Sequence, residues 1–374
     1  MSASGISLSE SQRIAWLRLI RSDNVGPATF RELINHCGSA EKALDMLPEL
    51  AKRGGAMKRI RVASIADAER EMEMAARHDG RFVAIGEPDY PPALRAIDGA
   101  PPLLAMCGSG ETARRPTLGI VGARNASVAG AKFAAMIAGA AAGAGYTVAS
   151  GLARGIDAAA HHSSLKHGTL AALAGGLDRI YPPENAELYR RICTEGGVAI
   201  SEMPYGWEPR ARDFPRRNRL IAGSALAIVV VEAAMRSGSL ITARLANEAG
   251  RLVLAVPGSP LDPRAQGSNG LIKQGAMIVC SPEDVLEALA PLSNLDLPFT
   301  GNAGEEPEPE GEAPSEPAED DRQRVAEALG PSPCEIDDLI RFTGVNAATV
   351  QLILLELDLA GRLVRHPGGR ISLA

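Results

Sequence analysis

The chain has 374 residues, 45% of them apolar, which fits two or three folded domains and excludes a disordered chain. Only 3% are aromatic, against 39 glycines, which disfavours a nucleic-acid surface built mainly on stacked rings. The net charge is −6, yet residues 301–321 hold nine acids and no Lys or Arg, so the remainder carries +3 and suits an anionic partner.

Cys37, Cys107, Cys193, Cys280 and Cys334 are scattered and show no metal-ligand spacing. They fit a reducing cytoplasm, with Cys37, Cys193 and Cys280 expected as small buried apolar groups. The N-terminus has no secretory pattern, and no apolar run reaches the ~20 residues that span a membrane.

In chain order, residues 8–77 read as helical, with apolar spacing over 11–20, a break at Asn24-Val-Gly-Pro27, a restart at 29–34, and Gly38-Ser39 ending one helix and capping the next over 40–47. Two short helices around a Gly turn either point amides at a DNA backbone or serve in packing. From Arg81 short apolar strands alternate with helices. Strands are expected at 82–85, 118–121, 146–150, 169–174, 198–201, 226–232, 252–256 and 277–280, with Ala-rich helices at 129–144 and 154–165. This is an α/β pattern, a mainly parallel sheet covered on both faces, whose ligands sit outside the carboxyl ends of the strands.

Residues 291–321 read as an acidic, disordered linker. Residues 322–374 follow the order of a winged helix, with helices at 325–329, 335–341 and 346–360 and a hairpin at 361–373. The third helix carries no Lys or Arg and makes a poor major-groove reader, so a packing or regulatory role stands beside DNA contact. The domains are therefore 1–78 helical, 79–290 sheet, 291–321 linker and 322–374 winged helix.

Several loops at expected strand ends suit phosphate. Gly119-Ile-Val-Gly-Ala-Arg-Asn-Ala-Ser127 lacks the GxGxxG spacing of dinucleotide sites, but Gly122 allows a tight turn and Arg124 supplies paired donors. Arg124 is otherwise a plain exposed arginine. Ser150 and Gly151 offer amides, Arg154 follows them, and Asp157 either caps the next helix or orients Arg154. His161 and His162 lack a HExxH pattern, so no metal is expected. Tyr181 either stacks a base or fixes the shape of its loop.

Arg210, Arg212, Arg216, Arg217 and Arg219 crowd ten residues around Asn218, and Ser237, Gly238 and Ser239 precede another helix. No nucleophile–base pair and no G-K-[ST] loop is present. The equipment holds phosphate; no catalytic residue and no cofactor are assigned. The rival is a nucleotide or phosphoribosyl hydrolase using Glu202 or Glu232 as general base. A scaffold with a vestigial pocket is the third reading.

Seven ordered stretches over about 155 residues resemble the DNA-processing protein DprA (Smf) family. They are Gly122-Ala-Arg124, Ser150 to His161, Gly176-Leu-Asp178 with Tyr181-Pro182 and Asn185, Phe214-Pro-Arg-Arg-Asn-Arg-Leu-Ile-Ala-Gly223, Val231 to Arg244, Gly250-Arg251 with Ala255-Val-Pro-Gly258, and Gly267 to Ala276. The resemblance implies an extended Rossmann-like domain, an N-terminal SAM or helix-hairpin-helix-like domain and a C-terminal winged helix. It also implies a non-enzymatic homodimer that binds single-stranded DNA and loads the RecA recombinase in natural transformation, displacing single-strand binding protein. Arg124 looks like the pocket arginine, with Ser150, Gly151, Arg154 and Asn218 near the DNA backbone. Many relatives carry a Lys where this chain has Gly168, so one phosphate contact is either missing, with the arginine cluster compensating, or supplied by Lys166.

Overall fold

The computed structural model describes residues 7–293, 317–366 and 368–374, and falls into two compact units. Most of the expected acidic linker, residues 294–316, lies outside the described residues. Among the described residues, one unit is built from 7 and 70–293, the other from 8–69 together with 317–366 and 368–374.

The chain opens with α1 (Glu10–Ile20), α2 (Pro27–Cys37), α3 (Ala40–Arg53) and α4 (Ile65–Arg77). Ser9 and Gln12 form a reciprocal capping box at the start of α1. Pro27 opens α2, and Gly38 closes it with φ 81°, where a side chain would strain. The third helix runs past residue 47, through Pro48, because Leu44, Leu47, Leu50 and Ala51 continue one buried stripe.

The sheet unit follows with β1 (Gly80–Ala84), α5 (Pro92–Arg95), β2 (Leu103–Gly108), α6 (Gly110–Arg114), β3 (Thr117–Gly122), α7 (Val128–Gly143), β4 (Thr147–Ser150), α8 (Ile156–Ser164) and β5 (Thr169–Ala172). Next come α9 (Ala186–Thr194), β6 (Val198–Ser201), α10 (Asp213–Ser224), β7 (Ala227–Val231), α11 (Gly238–Glu248), β8 (Leu252–Ala255), α12 (Gln266–Lys273), β9 (Met277–Ile278) and α13 (Pro282–Ser293). The strand order is β1-β2-β6-β5-β4-β3-β7-β8-β9. β6 through β9 pair in parallel, while β1–β2 and β2–β6 are antiparallel. The inner strands are buried along nearly all their length, and Leu118, Ile120, Val148, Val229 and Leu254 form a core with the Ala face of α7.

From β3 the chain winds outward through β4, β5 and β6, then returns to place β7 on the other side of β3. Winding therefore reverses between β3 and β7, and the crevice outside their carboxyl ends is where such sheets hold ligands. Cys37 is buried as expected, but Cys193 is half-buried and Cys280 exposed. Among the described residues no single helix is long and apolar enough to cross a membrane.

The other unit is completed by α14 (Glu319–Ala328), β10 (Cys334–Glu335), α15 (Ile336–Thr343), α16 (Ala347–Leu359), β11 (Leu363–Arg365) and β12 (Arg370–Leu373). Its three strands pair in the order β10-β12-β11, and α14–α16 close over them around Val325, Leu339, Val350, Ile353 and Leu357. This is a winged-helix arrangement.

Candidate nucleic-acid interface

The loop after β4 is held in an unusual shape by buried polar groups. Leu152 adopts φ 56°, a conformation that a branched side chain rarely takes. Its amide donates to Nε2 of His161 at 3.3 Å, and its carbonyl accepts from Nδ2 of Asn185 at 2.8 Å. His161 is fully buried, and its Nδ1 pairs with Oγ1 of Thr169 at 2.7 Å. Burial, with His162 and Arg217 adding to it, pushes the imidazole down to about 3, so it is neutral and accepts from Leu152. Asp157 accepts from the amides of Gly151 at 3.1 Å and Ala153 at 3.3 Å.

Arg217 lies beneath this loop. It projects from α10 to the carboxyl end of β5, where Nη1 donates to the Ala172 carbonyl at 3.2 Å, and its Nε has no hydrogen-bond partner. A β-carbon at residue 151 would overlap the guanidinium, so glycine is required there by the arginine. Burial lowers Arg217 to about 10, with Asp157 opposing the drop and Arg124 adding to it. Asp157 is raised, again by burial first, with Arg217 opposing. Both charged forms are thus disfavoured, and the pair does not offset its own desolvation.

Above Arg217 sits the half-buried Phe214. The Arg217 guanidinium is 5.9 Å from its ring centroid and the exposed Arg124 guanidinium 5.3 Å, while Tyr181 meets the ring edge-to-face at 5.5 Å. Asn218, next on α10, donates from Nδ2 to the Gly238 carbonyl at 3.2 Å. Arg124 and Arg217 thus meet through Phe214 at the sheet's carboxyl edge, and Asn218 ties the turn at 237–239 to the same helix.

The family model for DNA recombination-mediator protein A matches residues 81–290. The models for the DprA-like N-terminal HHH domain and the DprA winged helix domain match residues 10–74 and 307–369. The chain belongs to the DprA family. Protein Smf of Synechocystis is 33% identical over 398 residues, covering 97% of this chain and 99% of that one. The structure of DprA from Streptococcus pneumoniae aligns with TM-score 0.61 at 32% identity, covering 75% of this chain and 98% of that one. A Helicobacter pylori DprA structure, described for its single-stranded DNA binding mode, shares the fold with TM-score 0.52 at 23% identity over 57% of this chain and 96% of that one.

Within this DprA sheet unit the expected site residues separate into several groups. Arg124, Arg217, Asn218 and Gly238 are together. Ser150 and Gly151 line the same place but not as phosphate donors: the Ser150 hydroxyl donates to the Ile120 carbonyl at 2.6 Å, and the Gly151 amide is taken by Asp157. Gly122 likewise makes room, since a β-carbon there would overlap the Val231 carbonyl. The Ser237 and Ser239 hydroxyls pair at 2.7 Å, and no side chain caps the amides that open α11. Arg154 is exposed and paired with Glu184.

The remaining expected residues stand apart from this cluster. Arg216 and Arg219 both bind the buried Glu202, at 2.7 and 2.6 Å, and Arg219 also donates to the Gly99 carbonyl, while about half of the Arg216 side chain stays exposed. Lys166 precedes β5, which runs parallel to β4, and so lies at the amino edge of the sheet, opposite Ser150 and Arg124. Gly168, the position of the lysine in relatives, lies at that same edge, so neither residue joins this cluster. Phe214 was not among the expected contacts, although an aromatic inside an arginine run in a chain with 3% aromatics was a readable signal.

Glu232 also has a structural partner. Its carboxylate accepts from the Ser127 amide at 2.8 Å and from the Ser127 hydroxyl. It thereby fills the N-terminus of α7, where a dinucleotide-binding sheet would hold phosphate, at the rim of a cavity of about 530 Å³.

Proposed function

We propose that the chain binds single-stranded DNA through phosphate contacts without strong sequence preference, and delivers it to the RecA recombinase during recombination and natural transformation. The observation that carries this reading is Arg217, a guanidinium kept buried with an unused donor, beside Arg124 and under the ring of Phe214. A fixed buried cation and an exposed one beside it suit successive phosphates of a flexible strand, and the open amides of α11 add donors. Phe214 and Tyr181 offer ring faces to an unpaired base, which a duplex keeps within its own stack.

Family membership supports the recombination role, and the Helicobacter protein of the same fold is described as binding single strands. Action as a homodimer and exchange against single-strand binding protein go with this reading. The hydrolase reading loses its bases: Glu202 is bound by two arginines and Glu232 by Ser127. These partners favour binding over turnover.

Titration of labelled single-stranded and duplex oligonucleotides over a range of salt tests this directly, followed by RecA strand exchange on DNA coated with single-strand binding protein. Preference for the single strand by about tenfold or more, weakening with salt, and faster RecA exchange are expected. Equal affinity for both forms, or hydrolysis of nucleoside monophosphates that is lost in Glu232→Gln, would overturn it.

A further inference from the structure

The third helix of a winged helix is the element that ordinarily enters a DNA groove. Here α16 is apolar on two faces. Val350, Ile353, Leu354 and Leu357 belong to the core of its own domain. Leu352, Leu355, Glu356 and Leu359 are buried outside that core, and α16 packs against α2 and α3. A helix apolar on both sides needs a cover on both sides.

The polar contacts around this packing are specific. Asn24 donates from Nδ2 to the Leu359 carbonyl at 2.8 Å, and Thr29 donates from Oγ1 to Asp358 at 2.9 Å. Arg365 binds Glu32 at 2.6 Å and Asp358 at 2.9 Å, and Arg362 donates to the Gly54 carbonyl at 3.1 Å. Glu356 is 1% exposed and takes both arms of Arg322, at 2.8 and 3.0 Å.

Gly54 shows what the contact demands. Its φ of −68° and ψ of −3° suit any residue, so its own backbone does not ask for glycine. A β-carbon there would overlap the Glu356 carbonyl of α16. The missing side chain is a requirement of the docked helix.

Asn24 lies in the turn between α1 and α2, the piece of a paired-helix unit that can present amides to a DNA backbone. That turn is occupied by the end of α16, and α16 is occupied by α2 and α3. We propose that this winged helix is a self-recognition module: α16 docks on the α2–α3 face of the same chain, and in that state neither element contacts DNA. Charge agrees, since α16 holds Glu356 and Asp358 and no Lys or Arg.

Gly54→Leu in the full chain is a wedge against docking that leaves the backbone of the helical bundle unstrained. Hydrogen–deuterium exchange is read over α2, α3 and α16, together with affinity for single-stranded and duplex oligonucleotides. About tenfold faster exchange in those helices, unchanged exchange in the sheet unit, and both affinities within about twofold of wild type are expected. Unchanged exchange overturns the docking requirement. A tenfold gain in duplex affinity overturns self-recognition in favour of a masked DNA reader. Should the wedge variant fail to fold, Glu32→Arg tests the same contact: it speeds exchange, and adding Arg365→Glu restores protection, because Arg at 32 then faces acids at 358 and 365. A double variant no better protected than the single one also counts against the proposal.

Discussion

Replacing Arg217 by Met separates a binding group from a structural one. Met keeps the length and apolar stem and removes the charge. The fall of Arg217 from its ordinary 12.5 to about 10 corresponds to roughly 3 kcal/mol of burial cost carried by the charged form. That figure already includes the attraction of Asp157, which keeps its amide donors from Gly151 and Ala153 in the variant. The unliganded Arg217→Met protein should therefore be as stable as wild type, or more stable by up to ~3 kcal/mol. Its affinity for an oligothymidylate should fall by about tenfold or more, since a charged hydrogen bond contributes ~1.5–3 kcal/mol. Urea unfolding and fluorescence anisotropy on the same preparations decide the matter. Loss of more than ~2 kcal/mol of stability with affinity unchanged within about twofold would refute the reasoning and make Arg217 a pillar of the fold.

Arg124→Ala should weaken single-strand binding by about tenfold and reduce the slope of log affinity against log salt by ~0.7, the share of one phosphate; an unchanged slope would remove Arg124 from the interface. Lys166→Ala should leave affinity within about twofold, because the lysine sits at the opposite edge of the sheet; a tenfold loss would show the strand passing there. Gly151→Ala should expel the Arg217 guanidinium and lower affinity by about as much as Arg217→Met, and full retention would mean the two do not meet in solution. His161 sits at about 3 when folded against 6.5 ordinarily, so between those values the unfolded chain binds more protons and stability rises with pH. Stability should be lost as pH falls from 6.5 toward 3, by up to ~1.4 kcal/mol per pH unit. The gap between wild type and His161→Asn should accordingly shrink from pH ~7 to pH ~4.5, and a constant gap would contradict a neutral buried imidazole.

The parallel part of the sheet was legible because its strands are short apolar runs, several closed by glycines, as at 118–121 and 169–174. β2 was not, since six apolar residues after Pro101-Pro102 show no period that separates strand from buried helix. The arginine cluster was legible as a density of charge but not as directions. With α10 beginning at Asp213, Arg216 and Arg219 are three apart and share the face that meets Glu202, while Arg217 turns toward β5. Lys166 was misplaced by likeness to relatives. Strand direction alone would have corrected it, because residues before a parallel strand lie at the opposite edge from those that follow. The partners that consume the Ser150 hydroxyl and the Gly151 amide are tertiary and carried no local signal.

A crystal structure of the full chain with a bound oligothymidylate is the most direct test. Adjacent phosphates should lie within hydrogen-bonding distance of Arg124 and Arg217, with an unpaired base against Phe214. A strand lying along the helical bundle or the winged helix, with no phosphate near Arg124 or Arg217, would contradict the assignment.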